Sequence, residues 1–496
     1  MKNLLSTQVF LGATVFFLIT GCAVGPDFRT PEFETPGHYT PASLPAETVA
    51  ASTASGQAQQ FALAADIAAQ WWTLFRSPEL DALIKQGLAN SPSLAAAQAA
   101  LRRAEENLRA AQGGLLFPSI DASAYAGRQR TSAATHGGVS DTFNLYNASV
   151  GVSYTLDIFG GSRRRLEALQ ALVDYQRYQY EAAYLTLTAN IVTTAIREAA
   201  IRGEIVSTQA ILKAQETQLA LAKRQFELGG AAKISVLAQE TEVAITKATL
   251  PPLEKELALT QHALAVLVGK MPGEGTVGDF SLDKLTLPEN LPVSLPSSLA
   301  RQRPDIRAAE SMLHQACAEV GVATANLFPK FTITGSYGSE AVHISDLFES
   351  PNIVWNLGAG LLQPLFHGGE LTAKRRAAIA GFDEAAAQYR QTVLKGFQDV
   401  ADVLRSLETD ARTLQAQAEA EAAARTTLTL AEKQFRLGAV NYLYLLIAQR
   451  NYHRAQFSLV AARARRYADT AALFQALGGG WWNRQTDKAD ATLKKD

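Results

Sequence analysis

Four short segments of the chain alternate between apolar and polar residues, which is the pattern of β-strands with one apolar face. The clearest spans residues 147–157, where every second residue from Ala148 to Leu156 is apolar or aromatic. The others begin near Ile120, Phe331 and Ile353. Runs of roughly 10 residues with this alternation are typical of transmembrane barrel strands, apolar outside and polar inside. The alternative is a pair of soluble hairpins, each of which buries one face.

Four strands are too few to close a barrel within one chain. An open sheet edge in lipid leaves backbone groups without hydrogen-bond partners, at a cost of several kcal/mol each. A membrane-spanning sheet therefore requires further copies, and three copies would supply twelve strands where two would supply eight. Residues 131–142 and 339–351, between the paired strands, are rich in Ser, Gly and His and are predicted to be exposed loops.

Two long proline-free segments, residues 162–226 and 371–435, are predicted to be helices of roughly 95–100 Å each. Large apolar residues recur in both at seven-residue spacing, which is typical of coiled-coil seams. In the second segment Glu421 interrupts this series.

Each long helix is predicted to end in a tight turn, at Leu228-Gly229 and at Leu437-Gly438, because glycine supplies the backbone freedom that a helix end favours. An antiparallel return helix follows each turn. Pro251-Pro252 is expected to break or kink the first return helix.

The start of the chain resembles the signal peptide of a bacterial lipoprotein. Lys2 precedes an apolar run over residues 9–19, which is too short to span a bilayer. The run ends in Leu18-Ile19-Thr20-Gly21-Cys22, which is similar to a lipobox. Cys22 is therefore predicted to carry S-diacylglycerol and N-palmitoyl groups. Ala23 stands where an aspartate would indicate inner-membrane retention, so the outer membrane is favoured.

The second half of the chain repeats the order of elements in the first half. Leu116-Phe117-Pro118 recurs as Leu327-Phe328-Pro329, Gly160-Gly161 as Gly368-Gly369, and the segment 225–229 as 434–438. A period of about 210 residues is too long for a solenoid repeat of roughly 20–50 residues, and it indicates a duplicated half-protein. The predicted boundaries are a signal peptide at 1–21, a lipidated linker at 22–70, a first repeat at 71–290, a second at 291–480 and a polar tail at 481–496.

Composition and motifs argue against an enzyme. The formal net charge is -1, so no basic footprint for nucleic acid is present. The segment 273–278 fits a dinucleotide-binding pattern, but it follows a helical stretch and lacks the flanking strand and helix that binding requires. The seven histidines, among them His136 and His343 in predicted loops, form no metal-binding pair. With three methionines the chain has no ladder for a soft metal. No catalytic residue, metal site or cofactor is predicted, and Cys317 is expected to be a small packing residue.

A set of motifs in a fixed order resembles the outer-membrane efflux lipoproteins of the TolC/OprM/NodT type. They are Cys22-Ala23-Val24-Gly25-Pro26-Asp27-Phe28, Trp71-Trp72-Thr73-Leu74-Phe75, Arg301-Gln302-Arg303-Pro304-Asp305-Ile306, Gln363-Pro364-Leu365-Phe366 and residues 441–450. The resemblance covers essentially the whole mature sequence.

The resemblance implies an α+β membrane protein that forms a homotrimer. Each protomer would contribute four strands to a twelve-stranded β-barrel in the outer membrane of a Gram-negative bacterium, and a long periplasmic α-helical barrel would continue it. The function implied is a passive exit duct for drugs and toxic small molecules. The implied partners are a periplasmic adaptor protein and an inner-membrane resistance–nodulation–division pump, which would select the substrate.

The resemblance also assigns roles to the periplasmic end. The tips Leu228, Gly229, Leu437 and Gly438 are expected to contact the adaptor. A candidate gate is formed by residues near the second tip: Glu421, Glu432, Arg436, Asn441 and Tyr442. Relatives often carry aspartates just above this tip, whereas residues 412–430 contain no aspartate and only Glu419 and Glu421 as acids.

Three alternatives stay open from the sequence. The duct could belong to a heavy-metal efflux system. A periplasmic scaffold lipoprotein without a pore would account for the helical hairpins but not for the four alternating strands. A lipoprotein enzyme is disfavoured because no catalytic constellation is visible.

Overall fold

The computed structural model describes residues 23–31, 37–41, 44–134, 140–275 and 277–484. The predicted lipidation residue Cys22 and the loop residue His136 lie outside this part of the chain. The chain divides into two compact units. The sheet unit comprises Met1–Glu32, Ala100–Arg177 and Ala308–Arg390, and the helical unit comprises Phe33–Ala99, Tyr178–Arg307 and Gln391–Asp496.

Helices account for most of the ordered elements. They are α1 (Pro78–Asn90), α2 (Pro92–Leu116), α3 (Gly161–Glu227), α4 (Lys233–Leu267), α5 (Pro296–Gln302), α6 (Pro304–Ala325), α7 (Glu370–Arg436) and α8 (Tyr442–Ala476). The strands are β1 (Gln60–Leu63), β2 (Ser119–Arg130), β3 (Thr142–Leu156), β4 (Asn290–Val293), β5 (Lys330–Ala341) and β6 (Ile353–Leu362). Within the described part of the chain, no helix combines the length and hydropathy that a bilayer crossing requires.

The four predicted strands are confirmed and form one antiparallel sheet in the order β2-β3-β5-β6. The pairing of β3 with β5 joins the two halves of the chain. One row across the sheet runs through Ile120, Val152, Gly335 and Leu357. These residues belong to the apolar sides of their strands, so the register keeps apolar residues on one face and polar residues on the other.

The two long helices are also confirmed, at 67 residues each. Since α3 begins at Gly161 and α7 at Glu370, the duplication has an offset of 209 here. The sequence alignment of Gly160-Gly161 with Gly368-Gly369 was therefore wrong by one residue. Gly160 matches Gly369, and the two share a positive φ, +77° and +84°. Two glycines, Gly368 and Gly369, precede α7, and the alignment matched the first of them with Gly160.

The return helices α4 and α8 have 35 residues each. Pro251-Pro252 does not break the return helix, because α4 continues through both prolines, and the kink stays a prediction. Residues 247, 248, 251 and 252 are all exposed, so the carbonyl groups freed by the missing proline N–H groups face water. Leu253 packs on Ile201 and Ile205 of α3 and holds the helix on its neighbour.

The helical unit has a large apolar core around an aromatic cluster. Trp71, Phe75 and Phe474 are fully buried, and the rings of Trp71 and Phe474 stack at 5.3 Å. The sequence did not predict the parallel pair of β1 with β4, which places part of the expected linker 22–70 in a sheet. Each of these strands has four residues, too few for alternation to be visible, and the partners lie about 230 positions apart.

Candidate functional site

The sheet exposes its apolar row within a single chain. Leu357 is 77% exposed and Trp355 is 73% exposed, and Ile120, Val150 and Leu361 are exposed as well. Soluble hairpins would bury one such face, but no described element of this chain covers it. A continuous apolar surface of this kind marks an interaction site with lipid or another protein. The edges β2 and β6 each have one neighbouring strand in the described chain.

The opposite face carries polar side chains that bond to each other. Ser123 and Ser149 hydroxyls lie 3.0 Å apart, and Asn356 Nδ2 donates to Ser336 Oγ at 2.9 Å. Every strand therefore presents an apolar side and a polar side. This is what a wall between lipid and an aqueous lumen requires.

Both helical tips have the same hydrogen-bonded end. Gly230 N–H donates to Gln225 O at 2.8 Å and Gly229 N–H donates to Phe226 O at 3.0 Å. The second tip repeats this pair of bonds from Ala439 and Gly438, to Gln434 and Phe435. The pattern is a Schellman motif, in which the glycine adopts positive φ, here +78° and +70°.

The tips present apolar side chains to solvent. Leu437 is 84% exposed and Leu228 is 71% exposed. A Cβ atom built on Gly229 or Gly438 would meet no atom within 4 Å. The four tip residues therefore lie on an open surface, and their assignment as adaptor contacts stays a prediction.

The candidate gate residues lie close together in sequence but bond mainly to other groups. Arg436 Nε donates to the backbone oxygen of Glu432 at 3.3 Å. Asn441 caps α8 by accepting from Tyr444 N–H at 3.0 Å. Tyr442 packs edge-on against Phe435, with ring centroids 5.8 Å apart.

The hydroxyl of Tyr442 is buried and has no hydrogen-bond partner among the described residues. Burial, with a further contribution from the Glu242 carboxylate, raises the pKa of Tyr442 above its ordinary value. The hydroxyl is thus neutral and available as a donor.

A layer of polar side chains joins the four helices above the tips, and we call it the polar layer. Gln449 of α8 donates to Gln218 of α3, and Gln218 donates to Glu432 of α7 at 3.5 Å. Arg450 of α8 donates to Glu242 of α4, whose carboxylate is buried. Of these five residues, only Glu432 was among the candidates from the sequence.

A signal for the polar layer was present in the sequence. Along α4 the buried face runs through Val236, Gln239, Glu242 and Thr246, at the spacing of a helix face. A charged residue that continues a buried helix face needs a partner, and the partner of Glu242 comes from a distant helix. Its identity could not be read from the sequence.

Glu421 is buried in the helix packing. It accepts from Arg425 at 2.6 Å, one turn further along α7. In the 209-residue register it replaces Leu212 of α3, so it interrupts the apolar seam as the sequence indicated. Its side chain is 6% exposed, and it stays a candidate gate residue only by prediction.

Two carboxyl groups of the helical unit are strongly perturbed. Burial and the nearby Asp410 raise the pKa of Asp469 on α8 well above its ordinary value. Burial and the nearby Glu256 carboxylate raise the pKa of Glu204 on α3 to about 7. In the described part of the chain, no group of three or more His, Cys, Asp or Glu residues is arranged to hold a metal ion.

Comparisons with known proteins agree with these features. The family described as Outer membrane efflux protein matches residues 83–270 and 295–479. The pyoverdine export outer membrane protein OpmQ of Pseudomonas aeruginosa is 34% identical over 435 residues, which cover 86% of this chain and 90% of OpmQ. The toluene efflux pump outer membrane protein TtgC of Pseudomonas putida is 31% identical over 498 residues, covering 99% and 98% of the two chains.

Solved structures show the same fold. The outer-membrane channel OprN superposes with a TM-score of 0.84 at 28% identity, over 93% of this chain and 100% of OprN. The outer membrane protein VceC of Vibrio cholerae superposes with a TM-score of 0.79 at 26% identity, over 84% and 100% of the two chains.

Proposed function

We propose that this chain, which belongs to the outer membrane efflux protein family, exports drugs and other toxic small molecules. It is an outer-membrane exit duct, and we propose that it works as a homotrimer. The observation that carries this proposal is the four-stranded sheet with one exposed apolar row and one polar row. Such a sheet becomes a membrane wall only when its two free edges are paired. Relatives are described as exporting pyoverdine and toluene, so siderophores and solvents belong to the same proposal. A heavy-metal cargo has less support, because the chain has three methionines.

The internal duplication supports a specific pairing between copies. Ser119 and Lys330 begin β2 and β5, an offset of 211. Ser153 lies opposite Ser119 and Leu362 lies opposite Lys330, so β3 and β6 have an offset of 209. Within the chain, Val152 of β3 pairs with Gly335 of β5. The duplicates of this pair are Leu361 of β6 and Ala124 of β2, which we propose to be paired between neighbouring copies.

The side-chain alternation provides an independent check of this register. Leu361 and Ala124 both belong to the apolar rows of their strands, so the proposed pairing continues the apolar face from one copy to the next. A register error of one residue would place a polar residue of one strand opposite an apolar residue of the other. Three copies paired in this way give the closed barrel of twelve strands.

The membrane anchor and the periplasmic partners complete the proposal. Lipidation of Cys22 with S-diacylglycerol and N-palmitoyl groups would supply the several acyl chains that stable anchoring requires. An adaptor protein would contact the exposed leucines of the two tips, and an inner-membrane pump of the resistance–nodulation–division type would deliver the substrate. The polar layer would hold the helices in the closed arrangement until the adaptor docks.

The test of the duct is a pair of measurements on the purified protein. We expect an unheated gel band at the mobility of a trimer that converts to the monomer on boiling, and discrete single-channel conductance in planar bilayers. A scaffold lipoprotein would give no conductance, and an enzyme would give neither result. Absence of both signals from correctly inserted protein would reject the duct.

A further inference from the structure

The first described residues of the chain form a segment without helix or strand that is held along its length by other residues of the sheet unit. We call residues 23–31 the strap. Val24 N–H donates to Phe159 O at 3.1 Å, and Arg164 of α3 donates to Val24 O at 3.3 Å and to Asp27 at 2.6 Å. Backbone and side chain contacts at both ends of this stretch fix its path.

Helix α6 supplies a matching row of contacts. The ring of Phe28 stacks on His314 at 4.3 Å, Pro26 O accepts a weak bond from Cys317 Sγ at 3.6 Å, and Thr30 donates to Glu310 at 2.7 Å. Glu310, His314 and Cys317 follow each other at helical spacing, so one face of α6 receives the strap.

Glycine allows the closest approaches. Gly25 has φ +98°, and a Cβ atom on it would lie 2.6 Å from the Cα of Gly321. At the junction of β3 and α3, a Cβ atom on Gly160 would lie 2.5 Å from the Cα of Ala23. The N-terminal end of the strap, Ala23, therefore lies against the junction of β3 and α3. The residue before Ala23 in the sequence is Cys22.

Two of the residues that hold the strap occur once in an otherwise duplicated fold. In the register of α3 and α7, Arg164 corresponds to Ala373. In the register of the Leu-Phe-Pro motifs, Gly321 corresponds to Ala110. If Arg164 and Gly321 served only helix packing, the same residue types would be expected at the equivalent positions of both halves. Their single occurrence matches the single strap.

We infer that the strap is a positioning device, locked by Arg164, that fixes the lipid-bearing N-terminus beside the sheet and thereby favours insertion of the strands. The inference rests on the proposed lipidation of Cys22. A tether held along nine residues keeps the acyl chains next to the sheet, which raises the effective concentration of the strands at the membrane. Arg164 is central because its buried guanidinium bonds to Val24, Asp27 and Glu167 at once.

Trypsin cleavage after Arg29 measures whether the strap is seated, since a protease needs a locally released chain. In the full-length membrane protein, we expect Arg164→Gln and Gly25→Ala to raise the rate of this cleavage at least about tenfold. Gly25 lies outside every helix and strand, so its substitution displaces the strap without unfolding an element. Arg165→Gln is the matched control, because Arg165 pairs with Glu319 and does not contact the strap. An unchanged cleavage rate in both strap variants would contradict the proposal that Arg164 locks the strap.

A double-mutant comparison separates positioning from simple stabilisation. Arg164→Gln should lower the yield of assembled oligomer in the lipidated protein, and it should have no further effect in the Cys22→Ala background. Equal losses in both backgrounds would overturn the positioning role and leave a packing role. Radiolabelled palmitate incorporation into the wild type tests lipidation separately, and wild-type conductance tests the duct.

Discussion

At the scale of single residues, several carboxyl groups of the long helices lie in the helix packing. The carboxyl of Glu204 has a pKa near 7 because it is partly buried and faces the charge of Glu256. The buried carboxyl group of Glu242 pairs with Arg450, and that of Glu421 pairs with Arg425. The pair of Glu242 with Arg450 joins α4 to α8 and thus favours this arrangement of neighbours, whereas the pair of Glu421 with Arg425 lies within α7.

Glu204 gives the stability of the protein a dependence on pH. The pKa in the folded state, about 7, is above the ordinary value of 4.5, so the folded state favours the protonated form. Its stabilising contribution is complete below about pH 4.5 and is lost as the pH rises through 7. Glu204→Gln should therefore melt like the wild type at pH 4 but be more stable by about 1–3 kcal/mol at pH 8. Melting of Glu204→Gln and of the exposed control Glu216→Gln at both pH values checks this, and a gain that is equal at both would contradict it.

Arg450 tests whether the polar layer holds the closed helices. Arg450→Ala leaves the buried Glu242 carboxylate without its partner, which costs roughly 3–5 kcal/mol for a fully buried pair and less here because Arg450 is exposed. We expect the resting single-channel conductance to rise and trimers to persist. Arg436→Ala, whose observed side-chain bond is to its own helix, should have a smaller effect. A larger rise in Arg436→Ala than in Arg450→Ala would favour the gate predicted from the sequence.

At the scale of elements, the strands are defined by their two faces and the helices by their ends. A lysine on the lipid side of a barrel strand costs about 2–4 kcal/mol at the bilayer midplane and much less on the lumen side. Val152→Lys should therefore reduce the amount of inserted trimer, whereas Ser153→Lys should assemble and change the conductance. The two residues are neighbours on β3 and the same side chain is introduced, so each variant controls for the other. Equal assembly would show that the assignment of faces is wrong.

The second tip tests the adaptor surface. Gly438→Asp places a charge on an open surface between exposed leucines, without a clash in the chain itself. We expect it to abolish crosslinking to the adaptor and efflux, with trimers intact. Gly438→Asn is the matched control, because asparagine has nearly the same shape, tolerates positive φ and carries no charge. Normal crosslinking and efflux in Gly438→Asp would leave the tip as a simple helix end.

At the scale of the whole molecule, the proposed pairing of β6 with the partner's β2 can be tested by crosslinking. Leu361→Cys combined with Ala124→Cys, in a Cys317→Ala background, should form disulfides between copies and give a covalent product of three chains. Within one chain these residues lie on opposite edge strands, three strand spacings or about 14 Å apart across the sheet. The register also places Ala124 in line with Ile353, so Leu361 lies eight residues further along β6, beyond disulfide reach.

The control is Leu361→Cys with Ala126→Cys, which shifts the pair by two residues on the same face. Diagonal neighbours in a sheet are too far apart for efficient disulfide formation. Stronger crosslinking in the shifted pair would show that the register is wrong. A covalent product that ends at another number of chains would show that the barrel does not close with three copies.

The sequence by itself determined the strands of the large sheet, both long helices, the tips and the family. Each of these has a local signal: alternation for a strand such as β3, seven-residue spacing for α7, and a Leu-Gly pair for each tip. Because the chain is duplicated, each kind of signal occurs in both halves. Local patterns are enough to predict these elements because side-chain direction repeats every two residues in a strand and about every 3.6 residues in a helix.

Only the tertiary structure decided which residues meet across the fold. It brought Arg450 to Glu242 and Gln449 to Gln218, paired β1 with β4, and seated Asp27 on Arg164. It also kept α4 whole at Pro251-Pro252, where the residues that carry the freed carbonyl groups are exposed to solvent. These outcomes depend on contacts between residues far apart in the chain, and hydrophobic periodicity specifies a buried face without specifying its partner.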